Sequence, residues 1–313
     1  MALTILVTGG RGFFGRRIVE ALRAHGHEVA APGRPEFDLL DPVSVARTLK
    51  VVRPHTVVHS AAYYGGLGIC VAEPARIFHD NVLMAAHLLD GMAAAGSVKR
   101  FVSIGSACAY PGAVAGDMNE SDFWAGALHP SVEAYGFTKK VQLVGARAYA
   151  RQHGWTVQCP QITNLYGEHD VFTEYRSHVA AALIKKFADA KLEHKPEVVC
   201  WGTGAPVREF LYSGDAAEGV ARLLETDYAE PLNIGTGIGT SIKELSEVTA
   251  RVTGFEGRIV WDTSKPDGVL RKVLDVSRMK QILNWQPPTS LEAGLKKTVD
   301  WYLANKEAAD ART

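Results

Sequence analysis

The chain has 313 residues, 47% of them hydrophobic, so it can bury a sizeable core as one large domain or as two smaller ones. Lysine plus arginine and aspartate plus glutamate number 34 each, so no global positive field recruits nucleic acid or an anionic membrane. The four cysteines lie far apart, and there is neither a signal-peptide pattern nor a long apolar run, which predicts a cytoplasmic protein without disulfides, membrane spans or a bound metal.

The first segment has the pattern of a strand, a glycine turn and a helix. The apolar run TILVT leads into GGRGFFG and then into the amphipathic stretch RRIVEALRAHG. Gly9, Gly12 and Gly15 allow a tight turn, close approach of a pyrophosphate and close helix packing, and Phe13 and Phe14 complete the turn. Because the N-terminus of the helix offers free N–H donors, the segment predicts a dinucleotide site.

The second predicted strand, HEVAAPGR, ends at Arg34 instead of the acidic residue that binds the ribose 2′-hydroxyl in an NAD site. Arg34 and Arg11 are expected to hold a 2′-phosphate, so the predicted cofactor is NADP(H); two solvated arginines are the alternative. Asp38 and Leu39 are expected beside the adenine, although Leu39 also suits a hydrophobic core. The next helix is predicted to start near Pro42.

Two further strands complete the first half of the pattern. TVVHSAA predicts a buried parallel strand ending at Ala61 and Ala62, where a cofactor passes close to backbone, and a glycine-rich loop follows. After a predicted helix over 74–95, RFVSIGSACAYP supplies a fourth strand whose C-terminal end carries Ser106 and Cys108. Ligands bind at that end of open parallel sheets. The alternation of strands and helices predicts an α/β fold with a Rossmann-type doubly wound parallel sheet.

A predicted long helix, SVEAYGFTKKVQLVGARAYARQHG, carries Tyr135 and Lys139 four residues apart. That spacing places both side chains on one face, so they can reach one site together with Ser106 and Cys108. After the strand TVQCPQI, His178 begins another helix, whose dipole favours a neutral imidazole. Ser106, Cys108, Tyr135 and Lys139 are the predicted catalytic centre.

The alternation of predicted strands and helices is less regular in the second half of the chain. Residues 1–170, with returning segments near 200–235, are predicted to form the NADP-binding Rossmann domain. Residues 171–313 are predicted to form mainly a smaller, interleaved C-terminal substrate-binding lobe that closes over the carboxyl-end crevice. The final residues, NKEAADART, are predicted to be a short frayed tail.

The glycine turn, the HSAA strand end, Ser106 and the Tyr135-x-x-x-Lys139 spacing together resemble the extended short-chain dehydrogenase/reductase family that works on nucleotide sugars. Four segments make the resemblance more specific: GSACAYP, NLYGEHD with SHV, WGTGAPVREFL and SKPDGVLRKVLDVSRM. They resemble the branch that epimerises GDP-4-keto-6-deoxy-D-mannose at C3 and C5 and reduces it at C4 with NADPH, giving GDP-L-fucose.

The resemblance implies a role for each predicted catalytic residue. Tyr135 is the acid at the C4 oxygen, and its pKa is expected to be lowered by the Lys139 ammonium and the nicotinamide charge. Ser106 bonds the same oxygen. Cys108 is the base and His178 the acid of epimerisation, with an inert buried thiol as the alternative for Cys108.

The GDP-linked 4-keto sugar is expected to contact residues of the second half of the chain, with Arg208 as a bidentate clamp on the diphosphate. The predicted substrate residues are Asn164, Lys186, Trp201, Arg208, Lys265 and Asp267. The chain departs from the branch pattern at Ala107, where Ser is usual, and at Glu168, where Pro is usual. AYYGGLGIC also stands where AAKVGG is usual.

Three alternatives bear on function. A GDP-mannose 3,5-epimerase-like enzyme and a C4 reductase of another GDP-4-keto deoxy sugar or heptose share the fold, but NLYG with SHV and the missing acidic strand end favour net reduction. A non-catalytic NADP-binding regulator is disfavoured by the intact Tyr–Lys pair.

A homodimer is expected to form through a four-helix bundle of the helices near 81–95 and 136–152.

Overall fold

The computed structural model describes residues 2–114, 116–173, 176–265 and 267–312. The strands are β1 (Thr4–Thr8), β2 (Glu28–Ala30), β3 (Thr56–His59), β4 (Arg100–Ser103), β5 (Gly105–Ser106), β6 (Thr156–Ile162), β7 (Asn164–Tyr166), β8 (Glu197–Trp201), β9 (Val207–Tyr212), β10 (Pro231–Ile234), β11 (Gly239–Ser241), β12 (Arg258–Asp262) and β13 (Arg271–Lys272). The helices are α1 (Phe13–Ala24), α2 (Pro42–Val52), α3 (Leu67–Ala72), α4 (Pro74–Ala95), α5 (Glu133–His153), α6 (Val179–Leu192), α7 (Ser213–Leu224), α8 (Ile242–Thr253), α9 (Ser277–Leu283), α10 (Leu291–Ala304) and α11 (Lys306–Asp310). Short 3-10 turns lie at Ala107–Ala109, Glu120–Trp124 and Pro130–Val132.

The large sheet is parallel throughout, in the order β10-β6-β4-β3-β1-β2, with β5 pairing with β6. Its central strands are continuous apolar runs because helices cover both faces. Helix α1 packs with α7, while α2, α4 and α5 pack against one another. The predicted Rossmann-type doubly wound parallel sheet is therefore confirmed.

A second, smaller core lies outside this sheet. Strands β11, β9 and β13 form a sheet that β7 extends, and β8 pairs with β12. Helices α6, α8 and α10 pack on them around buried Phe187, Leu245 and Leu295. The chain returns from here to the large sheet through α7, β10 and α9, whose apolar residues belong to the first core. The smaller lobe is thus interleaved with the larger one.

Two predictions about local structure are wrong. The glycine-rich loop after β3 contains helix α3, because Ile69 and Cys70 are buried and provide a packing face. The predicted frayed tail contains helix α11, which is fixed by buried Ala309 and by ion pairs of Lys306 and Asp310 with α6.

Across the described ranges, none of the helices is long and apolar enough to cross a membrane.

Candidate active site

A cavity of about 500 Å³ opens at the carboxyl ends of β1, β2 and β3 and runs to the N-terminus of α6. Its floor is the glycine turn. Gly9 has a φ of 67°, and a Cβ at Gly15 would lie 2.6 Å from the carbonyl carbon of Gly9, so glycine is required for α1 to pack on the turn. Gly12 precedes α1 without a side-chain cap, so the first helical N–H groups of Phe13 and Phe14 remain available to an anion.

The two arginines predicted to bind a 2′-phosphate both line this cavity. The Arg11 guanidinium lies 3.1 Å from the Glu36 carboxylate, whereas Arg34 is 72% exposed and its nearest carboxylate, that of Asp38, is 3.8 Å away. Arg34 is therefore the freer cation. Asp38 shapes its own loop, since its carboxylate accepts the Leu40 N–H.

The remaining predicted cofactor residues also border the cavity. Leu39 lines the cavity but is only 6% exposed and belongs to the first core, as the hydrophobic alternative expects. Ala61 and Ala62 lie in the loop just after β3, and a Cβ at Gly9 would lie 2.8 Å from the Ala61 Cα. Small residues are needed at this close approach of two loops.

Ser106 and Cys108 are held in one turn after β4. The Ser106 N–H donates to Gln161 Oε1 at 3.0 Å, which fixes β5 against β6. Ser106 Oγ in turn accepts the Cys108 backbone N–H at 3.1 Å, so its own hydroxyl hydrogen remains free to donate elsewhere. Of the four free cysteines, Cys108 is the half-buried one, and the other three are buried.

Tyr135 and Lys139 approach this turn from α5. A Cβ at Gly136 would lie 2.9 Å from the carbonyl carbon of Cys108 and closer still to its oxygen, so the glycine lets the helix touch the turn. Lys139 Nζ lies 5.5 Å from the centroid of the Tyr135 ring. Burial lowers the pKa of Lys139 to about 8.

The pKa of Tyr135 moves opposite to the expected direction. Burial raises it above the usual value for a phenol, and negative charge on Cys108 or Cys70 would raise it further. Because Tyr135 is only 7% exposed, loss of hydration disfavours its phenolate form. Tyr135 is consequently a protonated phenol near neutral pH.

His178 lies at the N-cap of α6 with an extended backbone conformation. Burial lowers its pKa to about 4, so the imidazole is neutral. This agrees in direction with the expectation from the helix dipole, although burial is the cause.

Tyr64, which the sequence pattern did not single out, lies among these residues. Its ring stacks on that of Tyr135 with centroids 3.6 Å apart, and its hydroxyl lies 3.5 Å from Cys108 Sγ. The His178 ring centroid is 5.5 Å from that of Tyr64. The available signal was the departure AYYGG from the usual AAKVGG.

Other cavity-lining side chains were also missed, among them those of Asp170, Arg176 and Arg312. Burial raises the pKa of Asp170 to about 7. The Arg312 guanidinium donates to the His169 carbonyl and is half-buried, which brings the C-terminal segment to the cavity. Only the long-range fold places this residue there.

The predicted substrate residues fall into two groups on the smaller lobe. Arg208 is half-buried on β9, where burial lowers its pKa and attraction to the nearby Cys108 opposes that effect. On the adjacent strand β7, Asn164 donates its amide N–H to the Glu209 carbonyl at 2.9 Å. Arg208 and Asn164 thus lie on neighbouring strands, and the Arg208 guanidinium donates to the Val207 carbonyl at 2.9 Å.

The second group surrounds the turn after β8. Trp201 is 65% exposed, and Lys265 Nζ lies 5.7 Å from its ring centroid. The two Asp267 carboxylate oxygens accept hydrogen bonds from the Thr203 N–H and hydroxyl, each at 2.7 Å, so Asp267 shapes this turn. The Lys186 ammonium donates to the Val199 carbonyl at 2.8 Å.

Among the described residues, no cluster of three or more His, Cys, Asp or Glu side chains has the arrangement of a metal site.

The chain is similar to known proteins in both sequence and fold. Residues 5–235 match the model of the NAD dependent epimerase/dehydratase family. The chain is 35% identical to GDP-L-fucose synthase of Escherichia coli (strain K12), covering 97% of both chains. Among solved structures, it resembles a GDP-L-fucose synthetase from Naegleria fowleri bound to NADP, with a TM-score of 0.86 and 29% identity over 98% of this chain and 97% of that one. It also resembles a GDP-6-OMe-4-keto-L-xylo-heptose reductase from C. jejuni, with a TM-score of 0.89 and 26% identity over 97% of this chain and 98% of that one.

Proposed function

Because the chain belongs to the NAD dependent epimerase/dehydratase family, we propose that it converts GDP-4-keto-6-deoxy-D-mannose to GDP-L-fucose, by epimerisation at C3 and C5 and NADPH-dependent reduction at C4. One observation carries the proposal. The hydrogen bond from the Cys108 N–H to Ser106 Oγ holds the proposed epimerisation base beside the hydroxyl that is proposed to bind the C4 oxygen. A simple reductase has no need of that thiol.

The cavity residues suit NADP(H). The free N–H groups at the start of α1 bind the pyrophosphate, Arg34 pairs with the 2′-phosphate, and Ala61 and Ala62 let the cofactor approach the backbone. When bound, NADPH supplies the hydride for C4. We assign this binding to the part of the chain around the large sheet, and substrate binding mainly to the smaller lobe.

In the reduction, Tyr135 gives its proton to the C4 oxygen. Burial raises the pKa of Tyr135, so the phenol holds this proton at neutral pH and is ready to act as an acid. Ser106 donates its free hydroxyl hydrogen to the same oxygen. Lys139 stabilises the phenolate that forms, as long as the pH is below its pKa of about 8.

In the epimerisation, the Cys108 thiolate removes the proton beside the ketone. The C–H bond breaks, an S–H bond forms, and the electron pair moves to the C4 oxygen, where Ser106 and Tyr135 stabilise the enolate. His178 returns a proton from the opposite face. Because burial lowers the pKa of His178 to about 4, this acid role requires that the imidazole take up a proton as the anionic substrate binds.

For the nucleotide sugar, we assign the diphosphate to Arg208. Its guanidinium is half-buried near Cys108, as a clamp next to the reacting sugar requires. The exposed Trp201 and Lys265 are assigned to the more distant part of the ligand.

The test is turnover of GDP-4-keto-6-deoxy-D-mannose with NADPH in D₂O, followed by nuclear magnetic resonance. We expect NADPH oxidation, deuterium at C3 and C5, and GDP-L-fucose. Cys108→Ser is expected to slow deuterium uptake by about 100-fold or more, and Tyr135→Phe to slow NADPH oxidation by a similar factor while uptake continues. If this substrate causes no NADPH oxidation, the proposal is rejected.

A second candidate is a C4 reductase of another GDP-4-keto sugar, such as a heptose. It is favoured by the likeness to the C. jejuni heptose reductase. NADPH oxidation without deuterium uptake supports this candidate. Deuterium uptake without NADPH oxidation instead supports a GDP-mannose 3,5-epimerase-like enzyme.

We also propose that two copies of the chain pair through α4 and α5 as a four-helix bundle. Phe137, Val141 and Val144 follow one face of α5 and are 37–54% exposed, and Phe78 of α4 is 45% exposed. A dimer is expected by light scattering at micromolar concentration, and Val144→Glu is expected to give monomer. A wild-type monomer under these conditions contradicts the pairing. The free cysteines suit a reducing compartment such as the cytoplasm.

A further inference from the structure

Tyr64 lies between the residues proposed for reduction and those proposed for epimerisation. Its ring covers Tyr135 at an interplanar angle of 13°, its hydroxyl meets Cys108 Sγ at 3.5 Å, and its ring lies beside that of His178. None of the roles derived above uses this side chain. Tyr64 belongs to the segment AYYGG, which departs from the usual pattern AAKVGG.

The position of Tyr64 is imposed by the fold on both sides of it. Asn81 on α4 accepts the Tyr63 N–H and donates to the Tyr63 carbonyl, both at 2.9 Å, which fixes the backbone just before Tyr64. On the other side, the Gly66 N–H donates to the Arg176 carbonyl at 2.8 Å. A Cβ at Gly66 would collide with the carbonyl of Ser177, next to His178.

The chemistry of the contact has a defined direction. Burial raises the pKa of Tyr64 well above that of a free phenol, so its hydroxyl is protonated, and whenever Cys108 is a thiolate this hydroxyl is the donor of their contact. A hydrogen bond to the charged form of a group favours that form. The phenol therefore stabilises the thiolate, which is the form that removes a proton from carbon.

We propose that Tyr64 is a positioning residue of the epimerisation half-reaction, which holds the Cys108 sulfur and stabilises its thiolate by donating a hydrogen bond. This inference rests on the proposed function for its catalytic meaning, but the hydrogen bond itself does not depend on the identity of the sugar. Other groups also face the sulfur region, namely Cys70 of α3, Tyr135 of α5, His178 of α6 and Arg208 of β9.

The test compares Tyr64→Phe with wild type and with a matched control, Tyr63→Phe. Tyr64→Phe keeps the ring and its stack but removes the donor. The Tyr63 hydroxyl bonds Glu73 at 2.9 Å, so the control removes a neighbouring phenol oxygen that does not contact Cys108. Both variants are expected to unfold within a few degrees of wild type.

The first readout needs no substrate. Iodoacetamide alkylation of Cys108 is followed by mass spectrometry of the Cys108 peptide, with Cys108→Ser as the blank. Loss of a hydrogen bond to a charged group is expected to slow alkylation by about tenfold in Tyr64→Phe and to leave Tyr63→Phe unchanged. If Tyr64 merely covered the sulfur, its smaller replacement would speed alkylation, and equal or faster alkylation therefore overturns the proposal.

The second readout separates the half-reactions. With GDP-4-keto-6-deoxy-D-mannose in D₂O, Tyr64→Phe is expected to slow deuterium uptake at C3 and C5 by about tenfold. The rate of NADPH oxidation with already epimerised 4-keto sugar is expected to stay within twofold of wild type. Slower alkylation with unchanged uptake overturns the part of Tyr64 in epimerisation. If wild type itself takes up no deuterium, the proposed function fails, while the alkylation result still decides the hydrogen bond.

Discussion

Replacing Gly136 with alanine tests how closely the helix of Tyr135 and Lys139 must pack on the turn that carries Cys108. In an ordinary helix this change is stabilising by about 1 kcal/mol, because alanine loses less backbone entropy than glycine. Here the new methyl group would lie 2.9 Å from the Cys108 carbonyl carbon and closer to its oxygen. Both obstructing atoms belong to backbone, so the helix and the turn must separate by about 1 Å to restore normal contact.

The expected loss follows from these distances. Because both obstructing atoms are backbone, overpacking is expected to cost about 2–3 kcal/mol, which exceeds the gain of about 1 kcal/mol in helix propensity and leaves a net destabilisation of about 1–2 kcal/mol. A melting temperature lower by roughly 2–3 °C is expected for a chain of this length. A displacement of about 1 Å between Tyr135 and Ser106 is expected to lower kcat by about 100-fold.

Gly145→Ala on the same helix is the matched control. Its Cβ would meet only the terminal methyl of Leu89, at 3.1 Å, which can move aside. The assays are thermal unfolding by circular dichroism and kcat from NADPH oxidation. We expect Gly145→Ala to equal or exceed wild type in both. A Gly136→Ala protein with wild-type kcat and melting temperature would refute the idea that this close approach positions the site.

Arg34→Ala is expected to raise the KM for NADPH about tenfold and to leave the KM for NADH unchanged. The reason is that the Arg34 guanidinium has only a distant partner, Asp38, at 3.8 Å, and is available to the 2′-phosphate that NADH lacks. An equal rise for both cofactors would contradict the assignment. The kcat/KM of reduction is expected to fall as the pH rises through about 8, because the Lys139 ammonium loses its proton there, and a profile flat to pH 9.5 would argue against that role. Glu209→Gln is expected to lower the free energy of unfolding in urea by about 2–3 kcal/mol. The two oxygens of the buried Glu209 side chain accept the N–H groups of Leu274 at 2.7 Å and Gly237 at 3.1 Å, and a glutamine amide has only one oxygen to accept them. Unchanged stability of this variant would mean that these hydrogen bonds contribute little.

Some features of the site were predictable because they depend on a few consecutive residues. Pro42 begins α2 with Asp41 as its N-cap, and α4 has the predicted bounds, since proline and glycine act on their own backbone. The four-residue spacing of Tyr135 and Lys139 places both on one face of any helix. The glycine turn likewise fixes where α1 begins.

Other features depend on residues that are distant along the chain. Tyr64 reaches Cys108 only because Asn81 holds the preceding backbone, and Arg312 reaches the cavity only because it bonds the carbonyl of His169, 143 positions away. The pKa of Tyr135 rises for the same reason, because dehydration depends on everything that packs around the phenol.

The sequence by itself therefore determined the strand, turn and helix units and the types of reactive group that they carry. Only the tertiary structure decided which groups meet, which are already paired and in what charge state they stand. The physical reason is the difference in sequence separation over which the two kinds of interaction act. Backbone preferences and side-chain periodicity act over one or two turns of chain, whereas burial and hydrogen bonding between distant segments depend on how the whole chain packs.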